Sequence, residues 1–393
     1  GPNATGGFRQ DDNFFYLTGW NEPGAALVVA PAAAASGGQS ARAYEEILFL
    51  PAHNVWQEQW TGPKLGAENP KAPSLTGVGR VEVLDRLRDE LVRMLPAPRA
   101  TLYSDLADAG ETSPATAPLA WLARANAFPN YISFQDVKPL LARMRMVKDA
   151  GEVERIRRAS EASVAAHLAA LGMIRPGVSE HAVAALMQYE FEKRGCEHAS
   201  SAPIVGAGFN STVLHYSANT GTARAGDLVL IDVAGEYGMY ASDITRTVPA
   251  SGTFTRRQRE LYDVVLGAQQ AVMDAFRPGT YALGTVAEHS IYKVAFDYIN
   301  THGADLHGQP LGKYFNHSLG HYIGLRIHDV GDAGVLLDRG MVFSLEPGIY
   351  LPEEQLGIRI EDTMWIDPTG KLVRLSEGLP RTAAEVERAM AAR

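Results

Sequence analysis

The chain has one cysteine, Cys196 in KRGCEH, among 393 residues. No disulfide can form within it, and that usage favours a reducing compartment, here the cytoplasm. No apolar run approaches the ~20 residues of a membrane span, and no charged stretch followed by an apolar one opens the chain as an export signal would. No basic block offsets the formal charge of −9, which argues against nucleic acid or an anionic membrane as partner. A short-period repeat is also missing. What is present is an ordinary globular composition, 46% hydrophobic and 21% charged, in a chain long enough for two or more cores.

Residues 1–140 mix short apolar segments such as AALVVA and ATLYSD with helical patterns such as RVEVLDRLRDELVRML, an α/β alternation. Residues 31–43, PAAAASGGQSARA, read as a small-residue loop. A change of character at residues 138–148 marks the expected domain boundary. From Asp149 the pattern is strongly helical, with Val153, Ile156, Val164, Leu168 and Leu171 on one stripe. RPG stops that helix, Ser179 caps a second one running to about residue 194, and another helix is expected over residues 256–276.

The chemistry concentrates in two hairpin-like stretches. In LVLIDVAGEYGMYASDITRT an apolar strand runs straight into Asp232, and Asp243 stands on the return strand. With the turn centred between Tyr237 and Gly238, the two carboxylates face each other directly, with Cβ atoms ~4.5–5.5 Å apart, an unfavourable pair for like charges. Such a pair needs a cation or a shared proton between its members; the alternative is a hairpin with two acids on its solvent face. SLEPGIYLPEEQLGIRIED repeats the pattern, with Glu346 opposite Glu361 if the loop is centred between Glu353 and Glu354. Between these stretches HSLGHYIGLRIHD supplies His317, His321 and His328, and VLHYS upstream supplies His215, four of the chain's 11 histidines. A lone histidine is usually structural, but four imidazoles converging with four carboxylates suggest a metal pair. Two divalent ions would balance the four negative charges in a poorly solvated pocket. Mn²⁺ suits such ligands best, with Co²⁺ or Zn²⁺ able to substitute. Two ions ~3.5–4 Å apart support metal-assisted hydrolysis.

LIDVAGEYGMYASDITRT, HSLGHYIGLRIHDVG, SLEPGIY and GIRIED, in this order, resemble the Xaa-Pro aminopeptidases (aminopeptidase P) among the pita-bread metallopeptidases. VKDAGEVERIRRA resembles the start of their catalytic domain, and FRQDDNFFYLTGWNEPGAALVV their smaller amino-terminal domain. The resemblance implies an α+β protein. Residues 141–393 would form a pita-bread domain, two pseudo-symmetric αβ halves with a curved antiparallel sheet and helices outside. Residues 1–140 would form an α/β domain of the creatinase and prolidase type, in which the family usually has a strand and a helix before the FRQ segment, where this sequence has GPNATGG.

The same resemblance implies five metal ligands, Asp232, Asp243, His321, Glu346 and Glu361, with Asp243 and Glu361 bridging. Glu346 would also carry the proton in catalysis, and His215 and His328 would contact substrate and stabilise the tetrahedral intermediate. His317 matches a cleft histidine, Tyr350 a wall of the proline pocket, and Arg359 a partner that anchors Asp232. Trp60 matches a residue that oligomeric members present to a neighbouring active site, with buried core as the alternative. The implied substrates are peptides with proline in second position, and the implied assembly is a homodimer or homotetramer. Prolidase is the nearest rival. Methionine aminopeptidases generally lack the amino-terminal domain, creatinase-like members have lost the acidic ligands, and a non-catalytic peptide binder predicts gaps in the ligand set.

Overall fold

The computed structural model describes residues 8–31, 44–94, 101–105 and 133–392, and the chain divides into two units, Gly1–Ala142 and Arg143–Arg393. In the first unit Asp11 caps α1 (Asp12–Thr18) by accepting from Phe14 N. β1 (Ala26–Pro31) pairs antiparallel with β2 (Tyr44–Leu50), and α2 (Val55–Thr61) and α3 (Ala72–Thr76) follow. β3 (Arg80–Val83) then joins β2 in parallel. The segment that reads as one helix from residue 80 therefore begins as a strand. Arg80, Val81, Glu82 and Val83 alternate beside an open strand edge, and Val81 packs on the cluster of Leu48, Leu50 and Val78. α4 (Leu87–Met94) keeps the helical remainder, and β4 (Thr101–Ser104) pairs in parallel with β5 (Ser133–Asp136). The loop expected at residues 31–43 lies, from residue 32 on, outside the described residues.

α5 (Lys138–Met146) runs across the division of the chain. In the second unit Asp149 and Glu152 form a reciprocal capping box at the start of α6 (Ala150–Met173). The buried face of α6 is not the expected apolar stripe. Val153, Ile156 and Leu171 are buried, but Leu168 is exposed and Val164 half-buried, while Ser160, Ser163 and His167 are fully buried. That face meets interrupted strands, whose backbone groups need hydrogen-bond partners. Ser179 accepts from Ala182 N to cap α7 (Glu180–Lys193).

The strands β6 (His198–Ala199), β7 (Ile204–Ala207), β8 (Leu228–Asp232), β9 (Gly235–Tyr237), β10 (Tyr240–Ala241) and β11 (Thr245–Pro249) form two three-stranded antiparallel sheets, with β8 and β9 central. The β9–β10 turn takes positive φ at Gly238, 56°, and Met239, 74°, the two-residue turn that matches strand twist. Tyr237 therefore opposes Tyr240, and Asp232 opposes Thr245, not Asp243. The turn centre lies one residue later than the sequence suggests. Such a shift moves the register by two residues, so both aspartates stay on one face as diagonal neighbours.

α8 (Arg256–Ala275) and α9 (Ile291–Thr301) pack together, and α8 backs the second hairpin as α6 backs the first. β12 (Val342–Leu345) pairs with β15 (Asp362–Ile366), and β13 (Gly348–Leu351) with β14 (Leu356–Arg359). Leu345 opposes Asp362 and Gly348 opposes Arg359, so the register expected between Glu346 and Glu361 holds across the gap between them. β16 (Leu372–Arg374) extends this sheet, and α10 (Ala383–Ala391) closes the described chain. Among the described residues no helix is long and apolar enough to cross a membrane.

Candidate metal centre

Both hairpins deliver acids because each ladder is interrupted where the acids stand. β8 ends at Asp232, and Asp243 lies in the gap between β10 and β11. Asp243 is fixed through its backbone: its N–H donates to Thr363 Oγ1 at 2.9 Å, and that hydroxyl donates to Asp243 O at 2.8 Å. The Asp243 carboxylate is thereby left for the cleft. On the second hairpin, Glu361 accepts from Thr245 Oγ1 at 2.6 Å through Oε2, so one hairpin holds the carboxylate of the other.

His321 arrives on the segment between the hairpins. A Cβ at Gly320 would lie 2.0 Å from Ser344 O, so glycine there permits the close approach that brings the ring in. His321 N donates to Ser344 Oγ at 3.0 Å, and that hydroxyl donates to Glu346 Oε1 at 3.0 Å. His321 Nδ1 donates to Tyr322 O at 3.1 Å, leaving the Nε2 lone pair directed at carboxylates, 3.3 Å from Asp243 Oδ2 and 3.4 Å from Glu346 Oε1. A histidine held by one nitrogen and open at the other suits a metal ligand.

Asp243, His321 and Glu361 offer ligand atoms all within 4.8 Å of one another. Asp243 Oδ1 and Glu361 Oε1 are buried without a hydrogen-bond partner among the described residues. Burial, and then repulsion from neighbouring carboxylates, pushes both acids well above their ordinary pKa. Arg359 is the cation in contact, donating to Asp232 Oδ2 at 2.6 Å. Burial works against its charge, but Tyr350 and the surrounding carboxylates outweigh that and hold it well above its ordinary pKa. One guanidinium does not balance four carboxylates, and buried orphan oxygens carry a cost of ~1–3 kcal/mol each. Divalent cations fit these donors, since carboxylates with one imidazole are a hard, oxygen-rich set.

All five residues expected as ligands line one cleft of about 430 Å³, together with His215, His317, His328 and Arg359. The His328 ring lies 4.0 Å from that of His321, and burial lowers its pKa, as it does that of His317. Tyr350 stands behind the wall instead of in it. It is 4% exposed, packs with Ile204 and Leu230, and has its pKa pushed up to about 12 by burial. Arg359 Nη1 donates to the Tyr350 hydroxyl at 2.8 Å, and that hydroxyl donates to His317 Nε2 at 2.9 Å. His317 Nδ1 in turn donates to Ser318 O at 2.7 Å. Both nitrogens of His317 are thus engaged, and the ring serves as a fixed wall. Trp60 belongs to the first unit, 76% exposed on α2 beside Trp56, which overturns the buried-core alternative. The threonines 245 and 363, Ser344 and Arg246 were invisible to motif reading. Arg246, fully buried, donates to the carbonyls of Thr245 and Glu361. No periodicity marks such residues; only the partner of each acid does.

Residues 154–368 match the metallopeptidase family M24, and residues 3–103 match the aminopeptidase P, N-terminal domain. The chain belongs to metallopeptidase family M24. Within that family it is 33% identical to the Xaa-Pro aminopeptidase of Escherichia coli K12, over 98% of this chain and 89% of that protein. Among solved structures it is similar to the proline aminopeptidase P II from Yersinia pestis, with a TM-score of 0.82 and 33% identity, covering 98% of this chain and 91% of the other. The Zn-substituted E. coli aminopeptidase P in complex with product gives a TM-score of 0.83 at 30% identity, covering 98% and 90%. The Xaa-Pro dipeptidase of Pyrococcus horikoshii is 34% identical, over 65% of this chain and 69% of that protein.

Proposed function

We propose that the protein is a dinuclear metal aminopeptidase that cleaves the bond between the first residue of a peptide and a proline in second position. Two buried, unpartnered oxygens on Asp243 and Glu361, beside His321 in a cleft walled by three further histidines, carry that conclusion. Similarity to Xaa-Pro aminopeptidases along 98% of the chain supports the substrate. Asp232, Asp243, His321, Glu346 and Glu361, which line the same cleft, would hold the ions. Mn²⁺ suits this set, and Co²⁺ or Zn²⁺ can replace it. Bound ions supply Lewis acidity at the scissile carbonyl and a hydroxide nucleophile at neutral pH.

The remaining work falls to the chain. Ser344 holds Glu346 Oε1, so Oε2 is the atom that takes the proton of the attacking water and returns it to the proline nitrogen, which must leave as an amine. His215 and His328 donate to the oxygen that becomes negative. An Xaa-Pro bond has no N–H, so recognition rests on shape, and the fixed ring of His317 provides a wall. A single cysteine, unable to form an internal disulfide, suits a cytoplasmic location, and a homodimer or homotetramer would cover the exposed Trp56 and Trp60.

The test is metal-stripped protein, with and without Mn²⁺, offered an Xaa-Pro dipeptide and an Xaa-Pro-Yaa tripeptide. Mn²⁺-dependent release of the first residue from the tripeptide is expected. Cleavage of the dipeptide alone would make the protein a prolidase, and cleavage of neither would overturn the assignment.

A further inference from the structure

His167 and Gln269 are both fully buried, on α6 and α8, the helices that back the two acid hairpins. His167 Nε2 lies 3.0 Å from Val233 O and 3.2 Å from Ile244 O. Both partners are carbonyls, so Nε2 carries the proton and donates to both. Val233 and Ile244 are the residues immediately after Asp232 and Asp243. In the β8–β11 register they fall at the next opposed position after Asp232 and Thr245, where the ladder stops. One imidazole N–H thus spans the position of a missing rung.

Gln269 does the same on the other hairpin. Its Nε2 donates to Leu345 O at 3.1 Å and Ile360 O at 3.3 Å, and to Asp362 Oδ2 at 2.9 Å. Leu345 and Ile360 are the residues immediately before Glu346 and Glu361. Each half of the domain therefore drives one buried polar side chain from its backing helix into the gap between its two acids. The two side chains differ, but the task is shared. Neighbouring groups set them in place: Arg381 Nη1 donates to Gln269 Oε1 at 3.2 Å, and burial lowers the His167 pKa to about 4, keeping that ring neutral.

We propose that His167 and Gln269 are paired positioning residues, which fix the spacing of the four acids by stapling the carbonyls next to each of them. The inference rests on the metal-centre reading above. A side chain that holds a ligand's backbone is expected to act as other outer partners do, whose loss costs ~10–100-fold in metal affinity. A merely structural role would lower stability and leave affinity alone.

The experiment titrates metal-stripped protein with Mn²⁺ and follows the thermal transition of the metal-free form. His167→Phe and Gln269→Leu keep bulk and lose the donor; each is expected to weaken Mn²⁺ binding ~10–100-fold. His167→Gln restores an amide donor of the kind the second hairpin already uses, and is expected to recover most of that loss. Ser163→Ala removes the acceptor of Gly235 N and a donor to Ala159 O, neither of them a carbonyl beside an acid, and should lower stability with affinity unchanged. Wild-type affinity in folded His167→Phe and Gln269→Leu, or no recovery in His167→Gln, overturns the pairing. If His167→Phe does not fold, His167→Asn, too short to span both carbonyls, takes its place with the same expectation and the same overturning result. Wild-type protein that binds no Mn²⁺ would overturn the metal-centre reading itself, a separate outcome.

Discussion

The two hairpins solve one problem in mirror-image ways. In the aspartate hairpin the stapled carbonyls, Val233 and Ile244, are opposed and the acids are diagonal. In the glutamate hairpin the acids are opposed, while the stapled carbonyls, Leu345 and Ile360, are diagonal. The first hairpin has a tight two-residue turn with positive φ at both positions, and the second a longer loop over Pro352–Glu354 that closes through Gln355 at φ 54°. Acids need not be direct cross-strand partners to share a cation. They need a common face, a broken ladder and something other than each other to hold the backbone.

The comparison breaks hardest at Glu346, the only acid of the four to which both metal holding and proton transfer are assigned. Glu346→Gln keeps an oxygen beside His321 and removes the proton carrier. Its kcat should fall by ~10²–10⁴-fold, the range of general acid–base catalysis, with Mn²⁺ content unchanged by elemental analysis. An equal loss of Mn²⁺ would make Glu346 a ligand alone and the two hairpins equivalent in role.

A smaller effect tests what the hairpins share. Asp243 on the first and Glu361 on the second both have raised pKa values in the metal-free fold. A carboxylic acid with a raised native pKa binds more protons folded than unfolded, so stability falls as pH rises. The fall begins near the ordinary carboxylate values of about 4 and runs up to the raised native ones. Thermal transitions of stripped protein should therefore drop as pH is raised through this window. Saturating Mn²⁺ should cancel the drop and, at about 100 times its Kd, add about 2.7 kcal/mol. That corresponds to roughly 5–10 °C for a domain of this size. A flat profile without metal would mean that the acids are already neutralised within the protein.

The legible parts of the molecule were those with local signals. The helical pattern from Asp149, the cap at Ser179 and the apolar run into Asp232 mark their elements directly, and the second register follows once the loop is centred between Glu353 and Glu354. Arg359 was readable too, because its side chain lies on the face of Glu361 and reaches Asp232. The first register lies one turn position later than a turn centred between Tyr237 and Gly238 gives, because Gly238 and Met239, both at positive φ, form the turn. Ser160, Ser163 and His167 lie outside the apolar stripe expected on α6, because a hydrophobic stripe assumes that the opposing surface is apolar. Here that surface is broken backbone, and hydrogen-bonding groups are what it accepts. Gln269 was hidden for the same reason.

The smallest test compares the turns. Gly238→Ala places a Cβ where φ is 56° and 2.7 Å from Arg155 Nη1, the mobile end of a side chain that donates to Gly238 O. The backbone cost is about 1 kcal/mol, roughly 2–4 °C in the thermal transition. Gln355→Gly removes the same kind of strain from the second hairpin, so its transition should hold or rise slightly. Mn²⁺ affinity should be unchanged in both variants, because the staples at His167 and Gln269 lie between each turn and the strands beyond the acids. If Gly238→Ala weakens Mn²⁺ binding as much as His167→Phe does, the turn itself sets the aspartate spacing. The first hairpin would then be a rigid unit, and the likeness between the two halves would end at their topology.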